Sequence, residues 1–304
     1  MNADKKLYND FNSYLRRTYG GKTKRIPLNS SLGCPNRENG RIGCIYCLNG
    51  SSSPSSKGFL SVSEQLKEFI FKYRLSKENT SCNLIAYFQA YTNTYTNSSK
   101  LFEMLFPVSS FTEIKAVAIG TRPDCIDPLK LATIKKAVPE KDIWIEYGLQ
   151  SISSKTLKFI KRGHDVKAFQ KAIKLTKQYE IKTGVHVILG FPWEKKKYII
   201  KLARFISECD LDFIKIHLLH VLKNTALEKM YMSKRITLPS FKNYVHMASD
   251  LIEHLPKKIV IQRLTGEGSK NNHVAPLWAL KKTKVIQAIN DELIKRGSFQ
   301  GKYA

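Results

Sequence analysis

Three of the six cysteines of this chain lie within fourteen positions, at Cys34, Cys44 and Cys47. Their spacing, C-x9-C-x2-C, is compatible with a disulfide, a zinc site or an iron–sulfur site. Structural zinc takes four protein ligands, and no fourth cysteine or histidine lies nearby, since His164 is the first histidine of the chain. Three thiolates match a [4Fe–4S] cluster in which one iron keeps an open position. The spacing therefore favours such a cluster.

The loop around these cysteines is rich in glycine and follows residues 22–30, which predict a first strand. Gly33, Gly40 and Gly43 permit the unusual backbone angles that a loop needs to wrap a compact cluster. Tyr46 stands directly before the last cysteine, where its ring could shield the cluster from water. The loop is therefore expected to open at the C-terminal end of a strand.

Apolar runs recur along the chain at fairly even intervals, with amphipathic stretches between them. Buried strands are predicted at 82–89, 114–121, 142–150, 183–192, 212–222 and 257–264. Helices are predicted at 61–76, 127–138, 165–180 and 276–297. Asp127 is expected to cap its helix, with Pro128 at the first helical position. Strands that alternate with helices predict an α/β fold with a parallel sheet of right-handed βαβ units.

Six or seven such units predict a full or partial (βα) TIM-like barrel, in which the chemistry lies at the C-terminal ends of the strands. Polar segments stand at those ends in this sequence. Residues 1–235 are assigned to the barrel core, with the cysteine loop at 30–50. Residues 236–304 are assigned to a C-terminal extension or cap.

Six polar segments accompany the cysteine loop: YFQAYTNTY (87–95), GTRPDC (120–125), WIEYGLQS (144–151), KFIKRGHD (158–165), VHVILGFPWE (185–194) and KIHLLHVLKNT (215–225). A three-cysteine loop after the first strand of a (βα) barrel resembles the radical S-adenosylmethionine (SAM) superfamily. The common loop there is C-x3-C-x2-C, and the nine-residue gap of this chain narrows the resemblance to the YhcC/YtqA-type proteins and the related catalytic subunit of Elongator. The seven segments, in order, resemble the signatures of that branch.

The resemblance implies a [4Fe–4S] cluster, S-adenosyl-L-methionine as the second cofactor, and an electron donor such as flavodoxin or ferredoxin. It implies that reductive cleavage of SAM gives methionine and a 5′-deoxyadenosyl radical. By their places in the pattern, eight residues are expected to bind SAM: Tyr46, Gln89, Tyr91, Asn93, Glu146, Gln150, Arg162 and Gly190. The glycine-containing motif common after the second strand is absent here. Glu146 and Gln150 share one strand face and could bond the ribose hydroxyls.

Five further residues at strand ends are expected to face the substrate: Arg122, Asp124, Lys215, His217 and His220. Lys215 and His217 share one strand face, from which they could transfer protons or contact the substrate. Arg122 and Arg162 suit the SAM carboxylate or an anionic substrate, with an ordinary surface position as the alternative. A histidine inside a strand, such as His186, is more often a hydrogen-bonded core residue.

A large positive charge distinguishes the chain, because 51 Lys and Arg residues outnumber 25 Asp and Glu residues and give a net charge of +26. Such an excess attracts polyanions and predicts RNA as a partner. The resemblance to the Elongator subunit, which modifies the wobble uridine, makes the 5-position side chain of that uridine in tRNA the expected substrate. The basic segment 257–284, with Trp278, could contact the RNA or form a solvated face.

Two further observations concern location. No run of eighteen apolar residues occurs, and the N-terminus lacks the apolar region of a signal peptide. A cytoplasmic protein with no membrane contact is therefore expected, while the oligomeric state stays open. Two alternatives remain: a radical SAM oxidoreductase that acts on a small metabolite or a protein, and a basic zinc-containing RNA-binding module without catalysis.

Overall fold

The computed structural model describes residues 6–48, 60–75, 82–89, 91–266 and 271–304. Several positions considered above lie outside these ranges. They are residues 49–50 of the cysteine loop, residue 76 of the first predicted helix, residue 90 after the second strand, and residues 267–270 of the segment 257–284.

Seven strands form the main sheet: β1 (Thr23–Leu28), β2 (Asn83–Phe88), β3 (Ile114–Thr121), β4 (Asp142–Gln150), β5 (Lys182–Leu189), β6 (Phe213–Leu218) and, after a short β7 (Val221–Leu222), β8 (Val260–Arg263). Their order is β1-β2-β3-β4-β5-β6-β8, and every neighbouring pair is parallel. The sheet curls into a half-barrel, which confirms the predicted partial barrel. β7 pairs antiparallel with β9 (His273–Ala275) in a separate two-stranded sheet.

The helices of the described residues are α1 (Phe11–Tyr19), α2 (Val62–Leu75), α3 (Ser98–Leu105), α4 (Pro128–Ala137), α5 (Ser154–Phe159), α6 (Val166–Gln178), α7 (Lys196–Glu208), α8 (Ala226–Met232), α9 (Phe241–His254) and α10 (Lys282–Lys295). The predicted cap of α4 is confirmed, because the Lys130 amide donates to Asp127 Oδ1 at 2.8 Å. Within the described ranges, no helix has the length and apolar character needed to cross a membrane.

The alternation of side chains along each strand separates the core from the interior of the half-barrel. On β4, the fully buried Ile145, Tyr147 and Leu149 belong to the large apolar core that the helices cover. Trp144 and Glu146 lie on the opposite face and point inward. A parallel sheet covered on one face by helices therefore leaves its inner face to form a site.

Helix α1 closes the N-terminal end of the half-barrel. Its residues Phe11 and Leu15 are buried against inner-face residues of several strands. The ring of Phe11 meets Trp144 and Phe213 edge-on, with centroids 5.8 and 6.3 Å apart. Because this end is filled by aromatic side chains, a ligand must enter from the C-terminal ends of the strands.

Residues 236–304 contribute directly to the sheet. β8 pairs with β6 as the seventh strand, and α9 and α10 pack on one another. The end of the chain also returns to its beginning, because the Gln300 amide donates to Leu7 O at 2.8 Å. The segment assigned from the sequence to an extension or cap thus supplies one edge of the half-barrel.

Candidate active site

A cavity of about 270 Å³ opens at the C-terminal ends of the strands. Twelve of the residues selected from the sequence line it: Cys34, Cys44, Tyr46, Cys47, Gln89, Tyr91, Arg122, Glu146, Gln150, Arg162, His217 and His220. Since the C-terminal ends of parallel strands converge on one rim, residues far apart in the sequence meet there.

Backbone hydrogen bonds fix the cysteine loop over one end of the cavity. The Cys47 amide donates to Cys44 O at 3.0 Å, which forms a tight turn between these two residues. The Ile45 amide donates to Ile160 O at 3.1 Å, and this bond ties the loop to the segment after α5. All three cysteines of the loop are free thiols. The loop thus presents three potential thiolate ligands to one cavity.

Hydrogen-bond donors surround the cysteine sulfurs. Asn36 Nδ2 lies 3.4 Å and Arg162 Nη1 lies 3.7 Å from Cys44 Sγ. Arg37 Nη2 donates to the Cys47 carbonyl oxygen at 2.8 Å. Donors and positive charge at this position stabilise thiolates and tune the reduction potential of a bound cluster. These side chains therefore suit a negatively charged iron–sulfur centre.

The spacing of the thiols bears on the kind of metal site. Among the described residues, no three His, Cys, Asp or Glu side chains are arranged to hold a single metal ion. A [4Fe–4S] cluster has a different requirement, because each cysteine binds a different iron and the sulfurs need not converge on one point. The three thiols at one end of the cavity are compatible with this second requirement.

Arg162 is buried and connects the cysteine loop to β4. Its Nε and Nη2 donate to Gly148 O at 2.9 and 2.6 Å. A Cβ atom on Gly148 would lie 2.6 Å from Arg162 Nη2 and 2.7 Å from Gln150 Nε2. Only glycine therefore leaves room for both side chains at this point of the cavity wall.

Arg122 is buried too, with 3% of its side chain exposed, and Asp124 is its main partner. Arg122 Nε and Nη2 donate to the two Asp124 carboxylate oxygens at 2.9 and 2.6 Å, while Nη1 donates to Arg162 O at 2.7 Å. Arg122 and Arg162 therefore do not occupy ordinary surface positions. Asp124 orients Arg122 from outside the cavity lining.

Three other selected residues also lie outside the lining. Asn93 is fully buried and donates to Phe88 O and Gly120 O at 3.1 and 2.7 Å, so that it joins the ends of β2 and β3. Gly190, with φ +114°, packs against Pro239, whose Cγ lies 2.8 Å from where a Cβ would stand. Lys215 is buried and does not line the cavity. The side chain of Asn93 and the backbone of Gly190 are therefore in contact with other parts of the protein.

Lys215 belongs to a buried polar network on the inner face of the half-barrel. Its Nζ donates to Tyr87 Oη at 2.6 Å and to Glu146 Oε2 at 2.5 Å. His186 Nε2 lies 3.1 Å from the same Glu146 oxygen. The His186 ring also lies beside His217, with centroids 5.3 Å apart. The network links β2, β4, β5 and β6 beneath the cavity.

The charges of this network follow from burial and pairing. Burial alone would raise the pKa of Glu146, but Lys215 and His186 lower it well below its usual value. Burial lowers the pKa of Lys215 to about 7, although Glu146 opposes this. Burial also lowers the pKa of His186 to about 4, with further lowering by Lys215 and Arg263. Glu146 is therefore a carboxylate and His186 a neutral imidazole at neutral pH.

Three basic side chains of the cavity lining were not selected from the sequence: Arg37, His186 and Arg263. His186 had a usable signal, because it alternates with Gly184 and Ile188 on one strand face and its neighbour Val187 lies on the other. Arg37 and Arg263 had no such signal, since nothing in their local sequence separates them from the many other arginines.

Comparisons with known proteins agree with this geometry. The family model described as the radical SAM superfamily matches residues 28–206, and the model of a radical SAM C-terminal domain matches residues 211–295. The chain belongs to the radical SAM superfamily. This radical SAM protein is 31% identical to Bacillus subtilis YtqA, over 98% of this chain and 93% of YtqA. It is also 31% identical to Escherichia coli YhcC, over 90% of this chain and 88% of YhcC.

Two other likenesses of the radical SAM protein are more distant. A segment of 119 residues, 38% of this chain, is 30% identical to tRNA uridine(34) acetyltransferase of Methanocaldococcus jannaschii and covers 21% of that protein. The structure of Methanocaldococcus infernus Elp3 superposes with a TM-score of 0.67 at 15% identity, over 92% of this chain and 64% of the Elp3 chain. The superposition on Elp3 shows that the two chains share a fold.

Membership of the superfamily establishes the general chemistry. This radical SAM enzyme uses a [4Fe–4S] cluster and S-adenosylmethionine, which together supply a 5′-deoxyadenosyl radical when bound. The protein's part is to bind these groups, orient the substrate and exclude water.

Proposed function

We propose that this enzyme modifies tRNA at the wobble uridine, with the 5-position side chain of that uridine as the group attacked. The 119-residue match to a tRNA uridine(34) acetyltransferase is the observation that supports this substrate best. The net charge of +26 supports it independently, because phosphate contacts supply most of the affinity of RNA-binding proteins.

Within this proposal, Cys34, Cys44 and Cys47 bind the cluster, and the cavity beside them holds SAM. Tyr46, Gln89, Tyr91, Glu146, Gln150 and Arg162 are the cavity residues assigned to SAM. Glu146 Oε2 is bonded to Lys215 and His186, so Oε1 is the Glu146 oxygen assigned to SAM. Arg162 joins the cysteine loop to β4, because its Nη1 lies 3.7 Å from Cys44 Sγ while its Nε and Nη2 donate to Gly148 O.

The substrate is assigned to the part of the cavity lined by His217 and His220, with Lys215 buried next to it. Arg122, the other cavity residue assigned to the substrate, lies beside the cysteine loop, because its Nη1 donates to Arg162 O, which also accepts from Asn36 Nδ2. The wobble base must leave its stack to enter a cavity of about 270 Å³, as bases do in other nucleobase-modifying enzymes. The enzyme is expected to work in the cytoplasm with flavodoxin or ferredoxin as its electron donor, and the segment 257–284 is expected to contact the RNA.

Mass spectrometry of tRNA nucleosides from a deletion strain tests the proposal. We expect a wobble-uridine derivative to be lost or replaced by its precursor, and to return when the gene is restored. The matched control is the same strain complemented with the Cys44→Ala variant, which should not restore the nucleoside. Unchanged tRNA nucleosides would reject the tRNA substrate and support a radical SAM oxidoreductase that acts on a metabolite or protein.

A further inference from the structure

His186 stands between a buried carboxylate and the cavity. Its Nε2 lies 3.1 Å from Glu146 Oε2, while 18% of its side chain remains exposed and lines the cavity. No described residue forms a hydrogen bond with the other ring nitrogen, Nδ1. On the next strand, His217 Nε2 is buried and also lacks a partner among the described residues. This part of the wall thus holds imidazole nitrogens with unused hydrogen-bonding capacity.

The partners of Glu146 decide which nitrogen of His186 carries the proton. Lys215 Nζ lies 2.5 Å from Glu146 Oε2 and keeps this group ionised. A carboxylate only accepts hydrogen bonds, so His186 Nε2 must donate. In a neutral imidazole the other nitrogen then has a lone pair and accepts. Lys215 from β6 and Arg263 from β8 carry positive charges that disfavour an imidazolium at His186. The neighbouring His217 ring is neutral, because burial lowers its pKa well below the usual value.

We propose that His186 is a specificity-determining residue whose Nδ1 accepts a hydrogen bond from an N–H group of the substrate. Glu146 is the positioning residue that fixes the required tautomer. The inference rests on the proposed function and deepens it, because the uracil ring has a single N–H donor, N3–H. In cytosine N3 is an acceptor, and its lone pair would face that of Nδ1. A buried acceptor of this kind selects uridine over cytidine, since an unpaired polar group is costly.

The tautomer can be measured without turnover. We would label the reconstituted full-length enzyme with [15N]histidine and assign His186 by comparison with the His186→Gln variant. We expect wild-type His186 to be neutral, protonated at Nε2 and unprotonated at Nδ1, between pH 6 and pH 8. In the Glu146→Gln variant, His186 should no longer be protonated at Nε2 alone, and a mixture of its two neutral tautomers is expected. Protonation of Nδ1 in the wild-type enzyme at pH 7 would overturn the proposal.

Substrate discrimination provides the second test. Anticodon stem-loops with uridine, cytidine or N3-methyluridine at the wobble position would be compared for binding to the SAM-loaded enzyme and for turnover. For the wild type we expect about tenfold weaker binding of cytidine and N3-methyluridine, the effect of losing one buried hydrogen bond. His186→Ala should discriminate by less than about twofold, on the same grounds.

The control is His246→Gln on the outer helix α9, which should discriminate like the wild type. Equal discrimination by His186→Ala and the wild type would overturn the proposal even if uridine is the substrate. If the enzyme neither binds nor modifies any of the three RNAs, the proposed function and the uridine assignment are both contradicted. The tautomer measurement then still decides whether Nδ1 is an acceptor.

Discussion

At the scale of single residues, the cysteine loop provides the sharpest prediction. Cys44→Ala removes one of three thiolates, so we expect anaerobically reconstituted protein to fall from about four irons per chain to a small fraction of that, with no 5′-deoxyadenosine formed. Cys209→Ala, at the end of α7 and remote from the loop, should keep both. Iron analysis and chromatography of the reaction mixture measure the two quantities. Full iron content in Cys44→Ala would contradict the assignment.

Glu194 illustrates how one buried carboxyl can hold two loops of the site together. Its Oε1 accepts hydrogen bonds from Ser151 Oγ and Thr156 Oγ1 at 2.7 and 2.6 Å, and Oε2 is buried without a partner among the described residues. It thereby joins the turn after β5 to the turn after β4, next to Gln150. Burial raises the pKa of Glu194 to about 7.

This raised pKa predicts a pH dependence of stability. The folded state keeps the Glu194 proton up to about pH 7, whereas the unfolded chain loses it near 4.5, so stability falls as the pH rises through this window. We expect the free energy of unfolding of the wild type, relative to Glu194→Gln, to decrease by up to about 3 kcal/mol between pH 4 and pH 8. Urea denaturation at both pH values measures it.

The control for that experiment is Glu208→Gln, which replaces an exposed carboxyl on α7. The free energy of unfolding of this variant should differ from that of the wild type by a constant amount across the pH range, because Glu208 is exposed and the buried Glu194 is unchanged. A pH-independent difference for Glu194→Gln as well would contradict the raised pKa of Glu194, because it would mean that this carboxyl loses its proton at the same pH in the folded and unfolded states.

At the scale of elements, α1 is the part of the fold that confines the site to one end. Phe11→Ala would leave a cavity beside Trp144 and Phe213, and we expect a loss of about 3 kcal/mol in the free energy of unfolding. Phe71→Ala on α2, where 62% of the residue is exposed, should change it by less than about 0.5 kcal/mol. Urea denaturation measures the free energy of unfolding of both variants. Equal losses would show that the packing of Phe11 does not stabilise the N-terminal end of the half-barrel.

At the scale of the whole molecule, charge is the main feature, and its distribution can be tested. Lys281, Lys282 and Lys284 are exposed near the start of α10, within the segment 257–284. If this segment contacts tRNA, replacing all three with Gln should weaken tRNA binding about tenfold or more and reduce its dependence on salt, because fewer counterions are released. Binding titrations at several salt concentrations provide both values.

A matched variant removes the same charge elsewhere. Lys167, Lys171 and Lys174 are exposed on α6, on the outer side of the half-barrel and away from the cavity. Replacing these three with Gln should leave the salt dependence of tRNA binding nearly unchanged. If both triple variants bind equally weakly, the attraction comes from the overall field of the molecule and segment 257–284 has no special role.

The sequence by itself determined the order of the strands along the chain, the partial barrel and the place of the cysteine loop. These features depend on local patterns: buried parallel strands are continuous apolar runs, helix caps have short-range signals such as Asp127–Pro128, and the cysteine spacing is contiguous. The sequence also selected twelve of the residues that line the cavity, since polar residues that follow parallel strands meet at one rim.

Only the tertiary structure decided what each polar side chain contacts. It placed Asn93 between two strand ends, buried Lys215 below the cavity and brought His186 to the carboxylate of Glu146. It also showed α1 filling the base of the half-barrel, with Phe11 against residues more than a hundred positions away. Such contacts join side chains from distant strands, and their partners depend on the curvature and register of the sheet, for which no local stretch of sequence contains a signal.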